Sequence, residues 1–171
     1  GVFQLNNFRY DSPETKNIDK GAIVPSTIGK ELALYVVYYS PMQMAADLPK
    51  HYSKHMDAFA FIKNVPVDWS ERKILNSEFR EYVTIARKDK NTENWYVGGI
   101  TNENERKLVI DFSFLDSGKE YSVNMYLDTR NTHWKENPME YQISEKTISS
   151  DDKIDIYLAP GGGFALEIIP K

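Results

Sequence analysis

The clearest pattern in the chain is a change of hydrophobic period near Pro66. After this point apolar residues alternate with polar ones, which predicts half-buried β-strands separated by turns rich in Asn, Asp, Ser and Gly. With further strands expected near 72–78, 94–101 and 141–148, the pattern predicts about eight. Short strands at this spacing are typical of an antiparallel sandwich or barrel. The alternating sets are Val83/Ile85, Leu108/Ile110/Phe112, Tyr121/Val123/Met125/Leu127, Ile154/Ile156/Leu158 and Phe164/Leu166/Ile168.

Helical spacing of apolar residues marks the chain before Pro66. The first predicted helix has a start signal at 25–27, where the hydroxyl of either Ser26 or Thr27 is the expected N-cap. We expect this helix to run to about Ser40, because Pro41 breaks or kinks it. A second helical segment is predicted over 42–47, and a short helix over 56–64. Residues 1–24 have neither period and are predicted to form a long loop.

The first of these helices is apolar on every side. The run from Leu32 to Tyr39 contains no charged residue. A helix of this kind has to be buried all round. A β-part of about 105 residues is large enough to form its own core, whereas two or three apolar helices cannot cover one another on all sides. The sequence therefore raises the question of what buries this helix.

Composition excludes several classes of function. The net charge is −4 and the acidic residues are dispersed, which argues against a nucleic-acid surface. No uncharged apolar run reaches the roughly 18 residues that a membrane span needs. The absence of cysteine removes disulfides, thiolate catalysis and cysteine zinc sites. Aromatic residues make up 13% of the chain, and together with many Thr, Val and Ile they favour strands.

Two sequence features resemble ligand-binding motifs but lack residues that those motifs require. His51 and His55 would share one face of a helix, yet the segment HYSKH lacks the Glu of the H-E-x-x-H motif and is flanked by Lys50 and Lys54. We favour two solvated histidines over a metal site. The segment APGGGFAL has no Lys-Ser/Thr after its glycines, so it is not a P-loop. Its three glycines are expected to supply positive φ in a hairpin between the last two strands.

Aromatic and acidic residues leave two further interpretations open. Trp69, Trp95 and Trp134 could form a sugar-stacking platform, and Trp134 is the best candidate for exposure because it lies in the loop NTHWKENP. We favour tryptophans of the core or of a domain interface. Two of the many carboxylates could form a glycosidase acid–base pair, but most fall in turns or at polar strand positions. The residues alone build no active site.

Six segments together resemble the C-terminal end of glycoside hydrolase family 97, which comprises bacterial α-glucosidases and α-galactosidases. The most specific are SPMQMAADLP and FIKNVPVDW, which are long and of unusual composition. The resemblance covers nearly the whole chain, from Gly1 to about Ile168. The segments are LALYVVYYSPMQMAADLPKHY, DAFAFIKNVPVDW, EYVTIARK, WYVGGIT, FLDSGKEYSVNMYLD and LAPGGGFAL.

This resemblance implies a fold and a domain division. Residues 1–65 would be the last loop and helices of a (β/α)₈ catalytic barrel, and residues 66–171 a C-terminal β-sandwich associated with subunit contacts. The chain would then be a fragment of a larger enzyme. The apolar helix would have most of its burying surface in the missing barrel, and the rest would be covered by the sandwich, another copy or a companion fragment.

The same resemblance implies what the chain does. The parent enzyme would hydrolyse terminal α-glucosidic or α-galactosidic bonds in oligosaccharides, with two carboxylates and a calcium ion. The family's catalytic and calcium-binding residues precede the position matching Gly1, so no catalytic, cofactor or metal residue is assigned here. Expected partners are the missing parts of the enzyme, the oligosaccharide substrate and a second copy in a homodimer. The expected location is periplasmic or secreted, and the alternative function is a carbohydrate-binding sandwich module.

Overall fold

The computed structural model describes residues 2–3, 25–45, 52–53 and 55–171, and it contains two helices and ten strands in those ranges. Helix α1 spans Ile28–Val37 and helix α2 spans Met56–Asn64. Strands β1 and β2 form a short parallel pair. The strands are β1 (Val2–Phe3), β2 (Met44–Ala45), β3 (Trp69–Glu78), β4 (Tyr82–Asp89), β5 (Trp95–Thr101), β6 (Arg106–Asp111), β7 (Tyr121–Leu127), β8 (Gln142–Ile148), β9 (Lys153–Leu158) and β10 (Gly163–Pro170).

A six-stranded antiparallel sheet in the order β3-β4-β5-β10-β7-β8 forms the middle of three layers. The antiparallel pair β6-β9 covers one face of it, and α1 and α2 cover the other. The eight strands after residue 66 confirm the predicted antiparallel sandwich with an N-terminal helical segment. None of the helices in the described part of the chain is long and apolar enough to cross a membrane.

The sandwich core lies between the six-stranded sheet and the β6-β9 pair. Period-2 alternation directs one set of side chains from each strand into it, as the sequence predicts. Phe112, Phe164 and Leu166 are among its fully buried members. Trp95 also belongs to this core and is 5% exposed, which confirms the interpretation of Trp95 as a core residue.

A second core, which we call the helix–sheet core, buries α1 inside this chain. Eight of the ten residues of α1 are buried, and Leu32 and Val36 are fully so. They pack with Phe61 of α2 against the face of the sheet that carries Tyr96 and Tyr126. The expectation that most of the surface burying this helix lies outside the chain is therefore wrong. The sheet of the sandwich supplies it.

Small residues in the sheet allow α1 to approach closely. Gly98 of β5 and Ala165 of β10 are directly paired. A Cβ atom on Gly98 would lie 2.6 Å from the carbonyl oxygen of Ala33, well inside van der Waals contact. The backbone of α1 can rest on the sheet at this point because glycine carries no side chain.

Helix α1 begins as predicted but ends earlier. Thr27 is its N-cap, and the Thr27 hydroxyl accepts from the Lys30 amide at 3.2 Å. The predicted end at Ser40 is wrong, since Tyr38 already has extended backbone angles. The predicted helix over 42–47 is also wrong, because Met44–Ala45 is a strand that pairs with β1; residues 46–47 lie outside the described ranges.

The short helix predicted over 56–64 is confirmed by α2. The loop predicted over 1–24 lies outside the described residues except at Val2–Phe3, which is a strand and corrects the prediction there. The division at residues 65 and 66 stays a prediction.

We predict that Leu32→Ala lowers the free energy of unfolding by about 2–5 kcal/mol, because it opens a cavity in the helix–sheet core. Leu34→Ala is the matched control, since Leu34 lies on the same helix and is only half-buried. Denaturant unfolding followed by tryptophan fluorescence measures both. Equal losses in the two variants would contradict the burial of α1 on this sheet.

Candidate functional site at the helix and sheet junction

A buried carboxylate, Asp128, joins three separate segments at the N-terminus of α1. Asp128 follows β7 directly and is 2% exposed. Its Oδ1 accepts from the Thr27 hydroxyl at 2.8 Å. Its Oδ2 accepts from the backbone amides of Ala159 at 3.1 Å and Gly163 at 2.8 Å. The helix N-terminus, the end of β7 and the β9–β10 connection are therefore fixed to one side chain.

Burial dominates the electrostatics of this junction. It raises the pKa of Asp128 to about 6, against the lowering effect of its three hydrogen bonds and of Lys30. Burial also lowers the pKa of Lys30, whose ammonium donates to the Thr101 carbonyl at 3.0 Å. At neutral pH the Asp128 carboxylate is therefore charged and accepts from donors only. This arrangement holds structure together, and it does not leave a base open to a substrate.

The glycines of APGGGFAL leave room for the close contacts at this junction. A Cβ atom on Gly162 would collide with Oδ2 of Asp128, and one on Gly163 with the Gly99 carbonyl. Gly161 has a φ of +65°, as predicted, but Gly162 and Gly163 do not have positive φ. The predicted hairpin is wrong, because β9 and β10 belong to different sheets and the connection crosses between them.

Arg87 of β4 holds the other end of α1. Its Nε donates to the Val36 carbonyl at 2.6 Å and its Nη2 to the Val37 carbonyl at 3.4 Å. The last turn of α1 contains no basic residue of its own. The Arg87 guanidinium therefore supplies the positive charge that favours a helix C-terminus and satisfies carbonyls that the helix leaves unpaired. This capping stabilises the end of α1 at Val37.

Glu167 of β10 attaches α2 to the same face of the sheet. It is 3% exposed. Its Oε1 accepts from the Asn64 amide group at 3.1 Å and from the Tyr96 hydroxyl at 3.3 Å. Its Oε2 accepts from the Asn124 amide group at 3.2 Å. Like Asp128, this buried carboxylate is saturated by protein donors, so neither acts as one half of a glycosidase acid–base pair.

The three tryptophans do not form a common platform. Trp95 is in the sandwich core, while Trp69 lies at the helix–sheet core with its ring 5.8 Å from that of Tyr96. Trp134 is half-buried and not freely exposed. The His133 ring stacks on it at 5.9 Å, and Gly161 packs against its Cβ, Cγ and Cδ1 atoms. A sugar ring needs an open aromatic face, and this packing does not favour the carbohydrate-binding alternative.

Of the predicted histidine pair, His51 lies outside the described residues. His55 is the N-cap of α2. Its Nδ1 lies 3.2 Å from the Tyr141 hydroxyl, which donates to Asp57 at 2.8 Å. These contacts attach the start of α2 to the residue before β8. Within the described ranges, no three His, Asp or Glu side chains are placed to hold a metal ion.

Sequence reasoning missed Asp128, Arg87 and Glu167. Asp128 and Glu167 occupy positions that normally carry solvated residues, and Arg87 lies among other charged residues of β4. Thr27 and Asp128 are 101 residues apart, so only the fold brings them together.

We predict that Asp128→Asn lowers the free energy of unfolding at pH 7 by about 2–4 kcal/mol. The amide nitrogen of Asn takes the place of one carboxylate oxygen and cannot accept, so either the Thr27 hydroxyl or the two backbone amides lose their acceptor. Asp151→Asn, at an exposed position, is the control and should change little. Chemical denaturation measures the difference, and a D128N variant as stable as D151N would refute the role of this side chain.

The raised pKa of Asp128 predicts a pH dependence of stability. The native value of about 6 exceeds the ordinary value of 3.8, so the native state binds more protons between these values. The proton-linked part of the Asp128 contribution to the unfolding free energy is therefore fully present below about pH 4 and is lost as the pH rises past about 6, whereas the hydrogen bonds of the carboxylate remain at pH 7. The stability of the wild type relative to D128N should fall over this interval. A constant difference from pH 4 to pH 7 would be inconsistent with a buried, perturbed Asp128.

Comparisons with known proteins agree with this architecture. A curated retaining alpha-galactosidase from Bacteroides thetaiotaomicron is 36% identical over 167 residues, covering 93% of this chain and 24% of that protein. A solved glycoside hydrolase family 97 enzyme from Pseudoalteromonas sp. strain K8, in complex with acarbose, is 41% identical with a TM-score of 0.83. The match covers 86% of this chain and 23% of that enzyme.

A beta-arabinopyranosidase shares the fold, with a TM-score of 0.72 at 23% identity over 95% of this chain. The chain thus spans about a quarter of the length of its relatives. Residues 68–169 match the family described as glycosyl-hydrolase 97 C-terminal, oligomerisation. This chain therefore belongs to the C-terminal oligomerisation family of the family 97 glycoside hydrolases.

Proposed function

We propose that this chain is the assembly domain of a larger enzyme that hydrolyses terminal α-glucosidic or α-galactosidic bonds in oligosaccharides. The observation that carries the proposal is the family match over 68–169, together with a retaining alpha-galactosidase and a family 97 enzyme, both similar to this chain and each about four times as long. The enzyme's catalytic carboxylates would lie in the rest of that protein, because the buried carboxylates of this chain serve its own packing.

Within such an enzyme, residues 1–65 would be the end of the (β/α)₈ barrel. Exposed apolar side chains beyond α1 support a contact with further protein. Tyr38 and Tyr39 are each 59% exposed, and Met42 is 71% exposed. The neighbouring helix α1 is already buried on the sandwich. Residues 1–65 would therefore complete the barrel and also connect the catalytic part to this domain.

The remaining expectations for the whole enzyme are a calcium ion, a periplasmic or secreted location and a homodimer. Calcium prefers several oxygen ligands. The described residues offer no such group of acidic side chains, so ligands would come from the rest of the enzyme. Homodimerisation would place two catalytic parts in one particle, with this domain at the contact.

We predict that the 171-residue chain alone hydrolyses no aryl α-glucoside or aryl α-galactoside, and that it sediments as a dimer at micromolar concentration. Catalysis in a (β/α)₈ enzyme needs the strand ends of the barrel. The assay compares the chain with buffer and with a D128N variant prepared in parallel. Turnover that copurifies with the folded chain would contradict the assignment as a non-catalytic domain, and a monomer at all concentrations would contradict its assembly role.

A further inference from the structure

The most exposed large apolar side chain in the described part of the protein is Phe79, at 84%. It lies in the turn between β3 and β4, which the Glu81 amide closes by donating to the Glu78 carbonyl at 3.0 Å. A phenylalanine left in water at this level adds nothing to the stability of the fold. Its position at the tip of a hairpin makes it available to a partner.

The turn that presents Phe79 has a strained backbone. Arg80, the next residue, has a φ of +65°, and it is the only non-glycine residue with positive φ among those that the structure describes. Turns of this kind normally carry Gly or Asn at the position, because a side chain at positive φ is unfavourable. The Arg80 guanidinium lies 5.5 Å from the Phe79 ring.

A groove of about 560 Å³ lies directly beside this turn. The turn itself, with Phe79, lines one side of the groove, and Val83 and Ile100 add apolar surface to the lining. Val83 and Ile100 are paired across β4 and β5, on the face of the sheet that also carries α1. The groove is large enough for a second phenyl ring beside that of Phe79. The hairpin thus places the exposed Phe79 ring next to a groove that has apolar residues in its lining.

Phe79 is flanked by two opposite charges. Glu78 precedes Phe79 and Arg80 follows it, and neither forms an ion pair with any residue that the structure describes. The next acid, Glu81, is already paired with Arg106 at 2.8 Å. A contact with two-fold symmetry is reciprocal, so a pair between two different residues of the two copies forms twice. Glu78 of one copy would then face Arg80 of the other.

We propose that the Phe79 hairpin and its groove form a two-fold contact between two copies of this chain. Phe79 of each copy fills the groove of the other, and Arg80 of each pairs with Glu78 of the other. This rests on the assembly role proposed above and names the surface that performs it. All of these residues lie within 68–169, the range that matches the oligomerisation family.

Dimerisation by strand addition at the β3 edge of the sheet is obstructed. Strand β3 forms this edge, and its pairing with β4 has register shifts between Trp69 and Glu71 and between Ile74 and Asn76. Irregularities of this kind protect edge strands from pairing with another chain. A contact through the hairpin tip needs no continuous edge, so it is compatible with these shifts.

Sedimentation equilibrium of the full 171-residue chain tests the proposal. Phe79→Ala should weaken the dimer by roughly 100-fold, because an interface aromatic is lost twice in a symmetric contact. Val109→Ala and Met42→Ala are controls at other exposed apolar positions, 50% and 71% exposed, and should leave the dissociation constant unchanged. Circular dichroism and the melting temperature check that each variant is folded.

A charge exchange tests the pairing and its symmetry. Arg80→Glu should weaken the dimer, because four acids then meet across the axis. The double variant Glu78→Arg with Arg80→Glu should restore most of the affinity, since the exchanged charges again face opposite signs.

The possible failures are distinguishable. A wild-type chain that stays monomeric would overturn the proposed assembly role. A dimer that F79A leaves intact, or that M42A dissociates instead, would overturn the hairpin contact while leaving assembly in place. A double variant no tighter than R80E would overturn the Glu78–Arg80 pairing.

Discussion

Burial of α1 on the six-stranded sheet is the constraint on which the rest of the structure depends. Eight of its ten residues are buried, and the run from Leu32 to Tyr39 offers no charged face to water. Because the β6-β9 pair covers only the opposite face of the sheet, the helices are what close this one. Tyr96 and Tyr126 would otherwise be exposed. The helix and the sandwich therefore share one core across the predicted boundary near residue 65.

Polar side chains of the sheet fix both ends of that helix. Asp128 holds its N-terminus through the Thr27 hydroxyl, and Arg87 holds its C-terminus through two carbonyls. Burying Asp128 is unfavourable in itself, as its raised pKa indicates, but its three donors position the helix, β7 and the β9–β10 connection together. Removal of the Asp128 carboxylate would leave its hydrogen-bond donors unsatisfied in a buried site.

The eight strands and the start of α1 were predictable because each depends on local pattern and capping chemistry. The packing of the helices as a full layer on the sheet was not predicted, although β5 and β10 carry a signal for it. Their sequences WYVGGIT and GFALEIIP are buried almost throughout and do not alternate cleanly. A strand without alternation is covered on both faces. The roles of Asp128 and Gly162 depend on contacts between distant segments, so no local pattern could reveal them.

Native-state hydrogen exchange tests most directly whether α1 and the sandwich are one unit. The amides of α1 should open with about the same free energy as those of β5 and β10, because uncovering the helix exposes the helix–sheet core. Mass spectrometry of fragments covering 28–37 and 95–101 would compare the two. Equal protection that declines together with denaturant is the expected result. A helix that exchanges many times faster than β5, while the sheet stays protected, would contradict the account.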